Sequence, residues 1–292
     1  MFKGAITAIV TPFKEDGDLD LEVLSNLVEF QIKNKIDGIV PCGTTGESPS
    51  LNEKEHFEVV KTVISAANGK VPVIAGAGSN STKHAIDMTK KASELGADAV
   101  LHVCPYYNKP TQEGLYRHFS EIAKAVDILI IIYNIQGRTA VNMETSALAR
   151  LAKEHSNIVG VKEASGNIAQ MMDVISALPK NFSVLSGDDN LTLPLMALGG
   201  KGVISVASNI IPKEMHELTQ HALNGDFEKA KQMHYQLLPL FKGIFIETNP
   251  IPIKAALAMK GMIKESYRLP MCEMKAENKE RLRKVLDELG VI

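Results

Sequence analysis

Eight short apolar runs, each followed by a polar or small-residue break and then a segment of helical spacing, constrain this chain more than any other feature. The runs are Gly4 to Val10, Asp37 to Pro41, Val71 to Ala75, Ala99 to Cys104, Ile128 to Tyr133, Ile158 to Lys162, Ser183 to Ser186 and Gly202 to Val206. The spacing predicts helices over Asp20 to Lys35, Asn52 to Ala67, Ser81 to Leu95, Gln112 to Val126, Met143 to His155, Asn167 to Leu178, Asp189 to Leu198 and Pro212 to Asn224. Asn52 with Glu55 three residues on forms a capping-box pair, and Ser81, Asn167 and Asp189 stand where a side chain would cap a helix. Alternating strands and helices imply parallel strands joined by right-handed crossovers and covered on both faces, which fits runs that are nearly continuous in apolar character. Eight such units over residues 1–225 predict an α/β fold, a (β/α)8 TIM barrel. The alternative, a doubly wound open sheet, uses fewer strands and often carries a glycine-rich dinucleotide turn after the first, where this chain has Thr11-Pro12-Phe13. Residues 226–292 carry no strand signal and read as a C-terminal helical extension packed on the barrel, with helices over Asp226 to Phe241, Pro252 to Met262 and Glu277 to Leu289.

The formal net charge is only -2, without a basic stripe or an acidic tail, so the expected partners are small molecules and copies of the same chain rather than nucleic acid or a membrane. Cys42, Cys104 and Cys272 are scattered without a CxxC pair, as in a reducing compartment with neither a disulfide framework nor a zinc knuckle. Met1 runs almost directly into the first apolar run, with no charged segment leading a signal-peptide core, and the most apolar run, Ile128 to Tyr133, is too short to span a bilayer. The expectation is a cytoplasmic protein.

Barrel enzymes place their chemistry at the C-terminal ends of the strands, whose loops surround one mouth. Here those ends read Gly43-Thr44-Thr45-Gly46-Glu47-Ser48, Gly76-Ala77-Gly78, Pro105-Tyr106-Tyr107-Asn108, Tyr133-Asn134, Lys162-Glu163, Gly187-Asp188-Asp189 and, for the eighth, the neighbourhood of Ser205. Lys162 closes a buried strand, Ile158-Val159-Gly160-Val161-Lys162, before the break at Ser165-Gly166. A desolvated ammonium loses stability, so its pKa falls toward that of a nucleophilic amine, which makes Lys162 a candidate Schiff-base residue. Such an amine attacks a ketone, a tyrosine or threonine hydroxyl ferries protons through the carbinolamine and enamine stages, and glycine amides hold a carboxylate without side-chain bulk.

In order and at family-like spacing, several segments resemble the dihydrodipicolinate synthase branch of the pyruvate-dependent class I aldolase family. They are Ala8-Ile9-Val10-Thr11-Pro12-Phe13, Gly43 to Ser48, Pro105 to Pro110, Tyr133-Asn134, Gly137-Arg138-Thr139, Gly160 to Ala164, Ser186 to Asp189 and Asn249-Pro250-Ile251-Pro252. The likeness runs from Phe2 to Met271. It implies a lyase that condenses pyruvate with aspartate semialdehyde on the way to lysine and diaminopimelate, with no cofactor and no metal, because the imine itself is the electron sink. Lys162 would form that imine, and Tyr133 would relay protons, linked through Thr44 to Tyr107 from a neighbouring subunit. Thr45 by its backbone amide, and Gly187 and Ile204 by their carbonyls, would orient the pyruvate-derived part. Arg138 would pair with the carboxylate of the second substrate, a task that suits a bidentate guanidinium. The shared tyrosine implies at least a dimer, and a tetramer as a dimer of dimers is the family's common form.

Two positions depart from the family pattern: Gln136 stands where proline is usual, removing a φ restraint from the loop of Arg138, and Ala140 replaces a frequent glycine. The positions matching the family's lysine-inhibition pocket are Ser48, His56, Asn80, His84 and Tyr106, with His84 where sensitive members tend to carry a glutamate. Weak or absent lysine feedback is therefore expected. The nearest rival reading is a sister aldolase, an N-acetylneuraminate lyase or a 2-keto-3-deoxy sugar acid aldolase, whose branches generally lack the Gly-Arg-Thr loop. A divalent-metal enzyme using Glu163, Asp188 and Asp189 is weakened by the histidines, most of which fall in helical segments, with only His102 in a strand. A barrel with a purely structural role is the third alternative.

Overall fold

All eight apolar runs form strands, most of them trimmed at an end, in the computed structural model, which describes residues 2–292; Met1 lies outside them. The strands are β1 (Gly4–Ala8), β2 (Gly38–Val40), β3 (Ile74–Gly76), β4 (Ala99–Val103), β5 (Leu129–Asn134), β6 (Ile158–Glu163), β7 (Ser183–Ser186) and β8 (Gly202–Ser205). Neighbours pair in parallel in the order β2-β1-β8-β7-β6-β5-β4-β3. A parallel bridge between Ile39 and Val73, with the Ile39 N–H donating to the Pro72 carbonyl at 3.0 Å, brings the two ends together and closes the barrel.

The helices are α1 (Leu21–Lys33), α2 (Glu53–Ala67), α3 (Thr82–Glu94), α4 (Gln112–Ala125), α5 (Gln136–Thr139), α6 (Thr145–Glu154), α7 (Ile168–Ala177), α8 (Thr192–Ala197), α9 (Pro212–Leu223), α10 (Phe227–Gly243), α11 (Ile251–Met259) and α12 (Ala276–Glu288). The strands bury two faces. Ile6, Val40, Ile74, Leu101, Ile131, Leu185 and Ile204 fill the barrel interior, while Ala5, Ile39, Ala75, Val100, Ile130, Val184 and Val203 face the helices. Helices α10, α11 and α12 add Leu240, Phe241, Ile253, Ala256, Leu282 and Leu286 to that outer layer, so the extension shares the core of the barrel. Among the described residues no helix is long and apolar enough to cross a membrane.

The capping box forms in both directions, Glu55 N–H to Asn52 Oδ1 at 3.0 Å and Asn52 N–H to Glu55 Oε2 at 2.9 Å. Ser81 and Asn167 cap α3 and α7 as anticipated. Asp189 does not cap. Its carboxylate instead accepts the Ser205 hydroxyl at 2.5 Å and the N–H groups of Val206 and Ala207 at 3.1 and 3.0 Å, three donors of the turn after β8 that a solvent-facing cap could not match. The helix expected over Asp189 to Leu198 accordingly breaks into a single 3₁₀ turn at Asp189–Leu191 and the short α8. Met143 likewise lies outside its helix, because its N–H is taken by Asn134 Oδ1 at 2.9 Å, and α6 begins only at Thr145. Helix α5, four residues long, was too short to give a periodic signal.

His102 and His118 are buried as neutral rings. His102 Nε2 lies 2.9 Å from Thr89 Oγ1 and His118 Nδ1 lies 2.9 Å from Thr82 Oγ1, while the other ring nitrogen of each has no partner among the described residues. Burial pulls their pKa values down to about 3 and about 4. Because the unfolded chain takes up these protons near 6.5, each ring costs no stability above that pH and a growing amount as pH falls below it. At pH 5 the loss is about 2 kcal/mol per histidine. Urea denaturation at pH 7 and pH 5 checks this: stability should drop at the lower pH, and in a His118→Gln variant the drop should be smaller by about 2 kcal/mol.

Candidate active site

The inward aim of Lys162 depends on an irregularity in β6. The β5–β6 ladder pairs Ile130 with Ile158 but Ile131 with Gly160, so β6 carries one extra residue, a bulge at Val159. Residues three apart in an unbroken strand face opposite sides, yet Ile158 and Val161 both pack in the outer layer. The bulge therefore reverses the parity of the strand end, and Lys162 turns into the barrel beside its register partner Tyr133. A Cβ on Gly160 would come within 2.9 Å of the Ser183 carbonyl oxygen, so the bulge takes a residue without one.

Lys162 is 5% exposed, and its Nζ lies 4.2 Å from the centroid of the Tyr133 ring. Burial lowers its pKa to about 8; Asp188 and Asp189 oppose that shift and Arg138 adds to it. Burial likewise pushes the Tyr133 phenol above its ordinary value, while Arg138 and the Thr44 side chain pull the other way, so the hydroxyl stays protonated at neutral pH. Asp188, half-buried beside the amine, is raised to about 6 by desolvation against the pull of Lys162. Gly187 follows on β7: a Cβ there would stand 2.4 Å from Ala164 Cβ and 3.3 Å from Lys162 Cε, so only glycine leaves room next to the amine. Ile204, on β8, is fully buried in the inner layer.

The turn after β2 carries Thr44 and Thr45. It is held by the Glu47 N–H on the Thr44 carbonyl at 3.1 Å and by the Thr11 hydroxyl on the Gly46 carbonyl at 2.7 Å. The Thr45 hydroxyl accepts from Asn249 Nδ2 at 3.0 Å, and the Thr45 N–H makes no bond to another backbone group. Arg138, on α5, has no carboxylate partner among the described residues; one of its N–H groups reaches the Asn249 carbonyl at 3.3 Å. Tyr107 is not brought to Thr44 within one chain. It stands 90% exposed, at φ 70°.

A cavity of about 480 Å³ is lined by Thr44, Tyr133 and Arg138 together with Ser48, His56, His84 and Tyr106. Asn80 is outside its lining but donates to the Tyr106 carbonyl at 3.2 Å. His56 sits against the Gly76 carbonyl at 2.8 Å, with burial holding its pKa below the usual histidine value, so it is a neutral donor. Lys162, Gly187 and Ile204 do not line this cavity.

Two of the three carboxylates of the metal alternative are already engaged. Glu163 accepts the Ser165 N–H at 2.8 Å and Asn134 Nδ2 at 3.2 Å, and Asp189 serves the turn after β8. Sequence reasoning assigned no role to Asn134, to Asn249, or to the buried pair of Glu47 and Lys254. Asn249 joins the Thr45 turn to the Arg138 helix through its amide and its carbonyl, and its place in the Asn249-Pro250-Ile251-Pro252 motif was the available signal.

The model of the dihydrodipicolinate synthetase family matches residues 1–289. The chain belongs to that family. A relative from Hydrogenobaculum sp. (strain Y04AAS1), named 4-hydroxy-tetrahydrodipicolinate synthase, is 54% identical over 292 residues, 100% of each chain. The crystal structure of dihydrodipicolinate synthase from Aquifex aeolicus superposes with a TM-score of 0.98 at 52% identity over 99% of each chain. That of the Acinetobacter baumannii enzyme complexed with pyruvate does so with 0.98 at 45% identity, over 100% of each chain.

For a dihydrodipicolinate synthetase family chain, the two departures have different local consequences. Gln136 occupies the first position of α5, where its exposed N–H has no backbone acceptor and a proline ring would fit. Ala140 ends the same helix at φ 57°, a left-handed conformation that costs an L-residue roughly 1–2 kcal/mol. An Ala140→Gly variant is therefore expected to gain about 0.5–1 kcal/mol in urea denaturation, after the entropy that glycine adds to the unfolded chain. A loss of stability would contradict the assignment.

Proposed function

We propose that the chain is a lyase with a class I aldolase-type mechanism that condenses pyruvate with L-aspartate 4-semialdehyde, in lysine and diaminopimelate biosynthesis. The observation that carries the site assignment is a desolvated amine of pKa about 8 on the inner face of β6, in register with a protonated tyrosine. At pH 7 roughly a tenth of that amine is neutral, against about one part in three thousand for an ordinary lysine. Lys162 Nζ attacks the ketone carbon of pyruvate. The carbinolamine loses water to give an imine, and loss of a methyl proton turns the imine into an enamine. Tyr133, with Thr44 beside it in the same cavity, passes these protons. The enamine carbon attacks the aldehyde, and the amino group of the second substrate then displaces Lys162 and closes the ring. The electron sink is the protonated imine, so the chemistry calls for no cofactor.

Thr45 by its backbone amide, and Gly187 and Ile204 by their carbonyls, orient the pyruvate-derived part. Arg138, free of any carboxylate of its own, takes the carboxylate of the aldehyde substrate. This favours aspartate semialdehyde over the sugar aldehydes of N-acetylneuraminate lyases and 2-keto-3-deoxy sugar acid aldolases. Tyr107, fully presented to the outside of one chain, completes the relay of a second, in a dimer and in a tetramer built as a dimer of dimers. The cytoplasm is the compartment in keeping with its cysteines. Ser48, His56, Asn80, His84 and Tyr106 form the effector region, where the imidazole of His84 replaces a carboxylate that would meet the lysine ammonium.

Steady-state assays with each aldehyde test the reading. Arg138→Ala should lower kcat/KM for aspartate semialdehyde about 10–100-fold, mostly through KM, with imine formation intact; turnover of sugar aldehydes at comparable kcat/KM in the native enzyme would favour the sister aldolases. The observed rate of imine formation should fall about tenfold per pH unit below about 8, as the neutral amine is titrated away. A lysine titration should show little inhibition up to millimolar levels, and strong inhibition below that would contradict the role given to His84.

A further inference from the structure

A fully buried charge pair lies outside the reaction just described. Lys254, on α11 of the C-terminal extension, is 0% exposed, and its Nζ stands 2.5 Å from Glu47 Oε1, itself 2% exposed. The same ammonium lies 4.3 Å from the centroid of Phe13 and 5.2 Å from that of Tyr267. The second Glu47 oxygen faces the Arg268 N–H at 3.4 Å, and the Arg268 side chain continues to Glu55 through two N–H bonds at 2.7 and 2.8 Å. Burying both charges is expensive, and an apolar pair of similar volume is often as stable or more so. Stability alone does not account for placing an ion pair here.

What the pair holds is the turn that carries Thr44 and Thr45. Glu47 ends that turn in a left-handed conformation, φ 53°, which a glutamate adopts only when its surroundings impose it. Its N–H closes the turn on the Thr44 carbonyl, and its own carbonyl accepts both the N–H and the hydroxyl of Ser50, at 2.9 Å each. Five residues before Lys254, Asn249 grips the Thr45 hydroxyl. The extension thus clamps the turn at two points, Thr45 by Asn249 and Glu47 by Lys254, and both reach it from the segment that starts α11. Thr44, between the barrel strand and these two clamps, lines the same cavity as Tyr133, and its side chain draws the Tyr133 phenol back toward its ordinary pKa. Lys162, on β6, lies over the Tyr133 ring and, among the described residues, makes no hydrogen bond to the clamp.

We infer that Glu47 and Lys254 are positioning residues for the reaction: their buried charge pair fixes the backbone of the Thr44–Thr45 turn, and through Thr44 the hydroxyl of Tyr133, so that the C-terminal extension sets the geometry of the proton relay while leaving the imine-forming amine untouched. The inference rests on the condensation reading of the site. A relay held an ångström out of place costs on the order of a hundredfold in rate, without changing whether the amine meets the ketone.

The test is a Glu47→Leu/Lys254→Met double variant, which replaces the pair with apolar groups of comparable volume and leaves no charge unpaired, read beside the native enzyme for melting temperature, kcat, KM and the fraction trapped by borohydride at saturating pyruvate. The expected result is a melting temperature within a few degrees of native and full trapping, with kcat down about 10–100-fold. A kcat within twofold of native would overturn the inference and leave the pair a structural device. Trapping that falls in parallel with kcat would overturn it too, since the disturbance would then have reached Lys162. Should the double variant not fold, Glu47→Gln, which keeps the shape and a hydrogen bond from Lys254, is read the same way with a smaller fall in kcat. Failure of the native enzyme to trap pyruvate would instead remove the condensation reading itself, so the two failures are distinct.

Discussion

The site depends on keeping water away from one amine. A lysine at the end of an exposed strand keeps its proton well above neutrality; Lys162 holds it less tightly, because burial removes the hydration that stabilises the ammonium. That burial is a matter of strand parity. One extra residue at Val159 turns the rest of β6, from Gly160 to Glu163, over, placing Lys162 inside and Val161 against the helices. Without it, Lys162 would point at the helical layer and Tyr133 would face an apolar side chain. The small residues nearby follow from the same geometry, Gly160 at the bulge and Gly187 beside the lysine, where a methyl group would occupy the space of a carbonyl or of Ala164.

Lys254 shows that burial is not sufficient. It is buried too, and burial lowers its pKa as well, but Glu47 stands 2.5 Å away and opposes that shift. Its ammonium is committed to a carboxylate and boxed by Phe13 and Tyr267. Lys162 has only the more distant charges of Asp188 and Asp189, and Asp189 already accepts three hydrogen bonds from the turn after β8. The first lysine has no carboxylate at contact distance among the described residues, and the second is part of the frame.

Much of this was legible in the chain. Eight apolar runs with the right punctuation gave the barrel, because parallel strands covered on both faces leave a continuous apolar signature. The ends of those runs gave Lys162, Tyr133 and the Thr44–Thr45 turn. The bulge was invisible: a run of Ile158, Val159, Gly160 and Val161 reads the same whichever face each residue takes, since both faces are apolar. Asp189 looked like a helix cap because its competing donors, Ser205, Val206 and Ala207, come from a turn far along the sequence. The clamp of Asn249 and Lys254 on the second barrel turn was hidden for the same reason, about two hundred residues separating partners that only the closed barrel and its extension bring together.

The most direct measurement is the location of the covalent bond. Reducing the protein with borohydride in the presence of pyruvate and mapping its peptides by mass should place a single reduced pyruvate on the peptide that carries Lys162, and on no other. An adduct on Lys254 or on a surface lysine, or none from the folded protein, would contradict the account, because the bulge would then aim a lysine that does no chemistry.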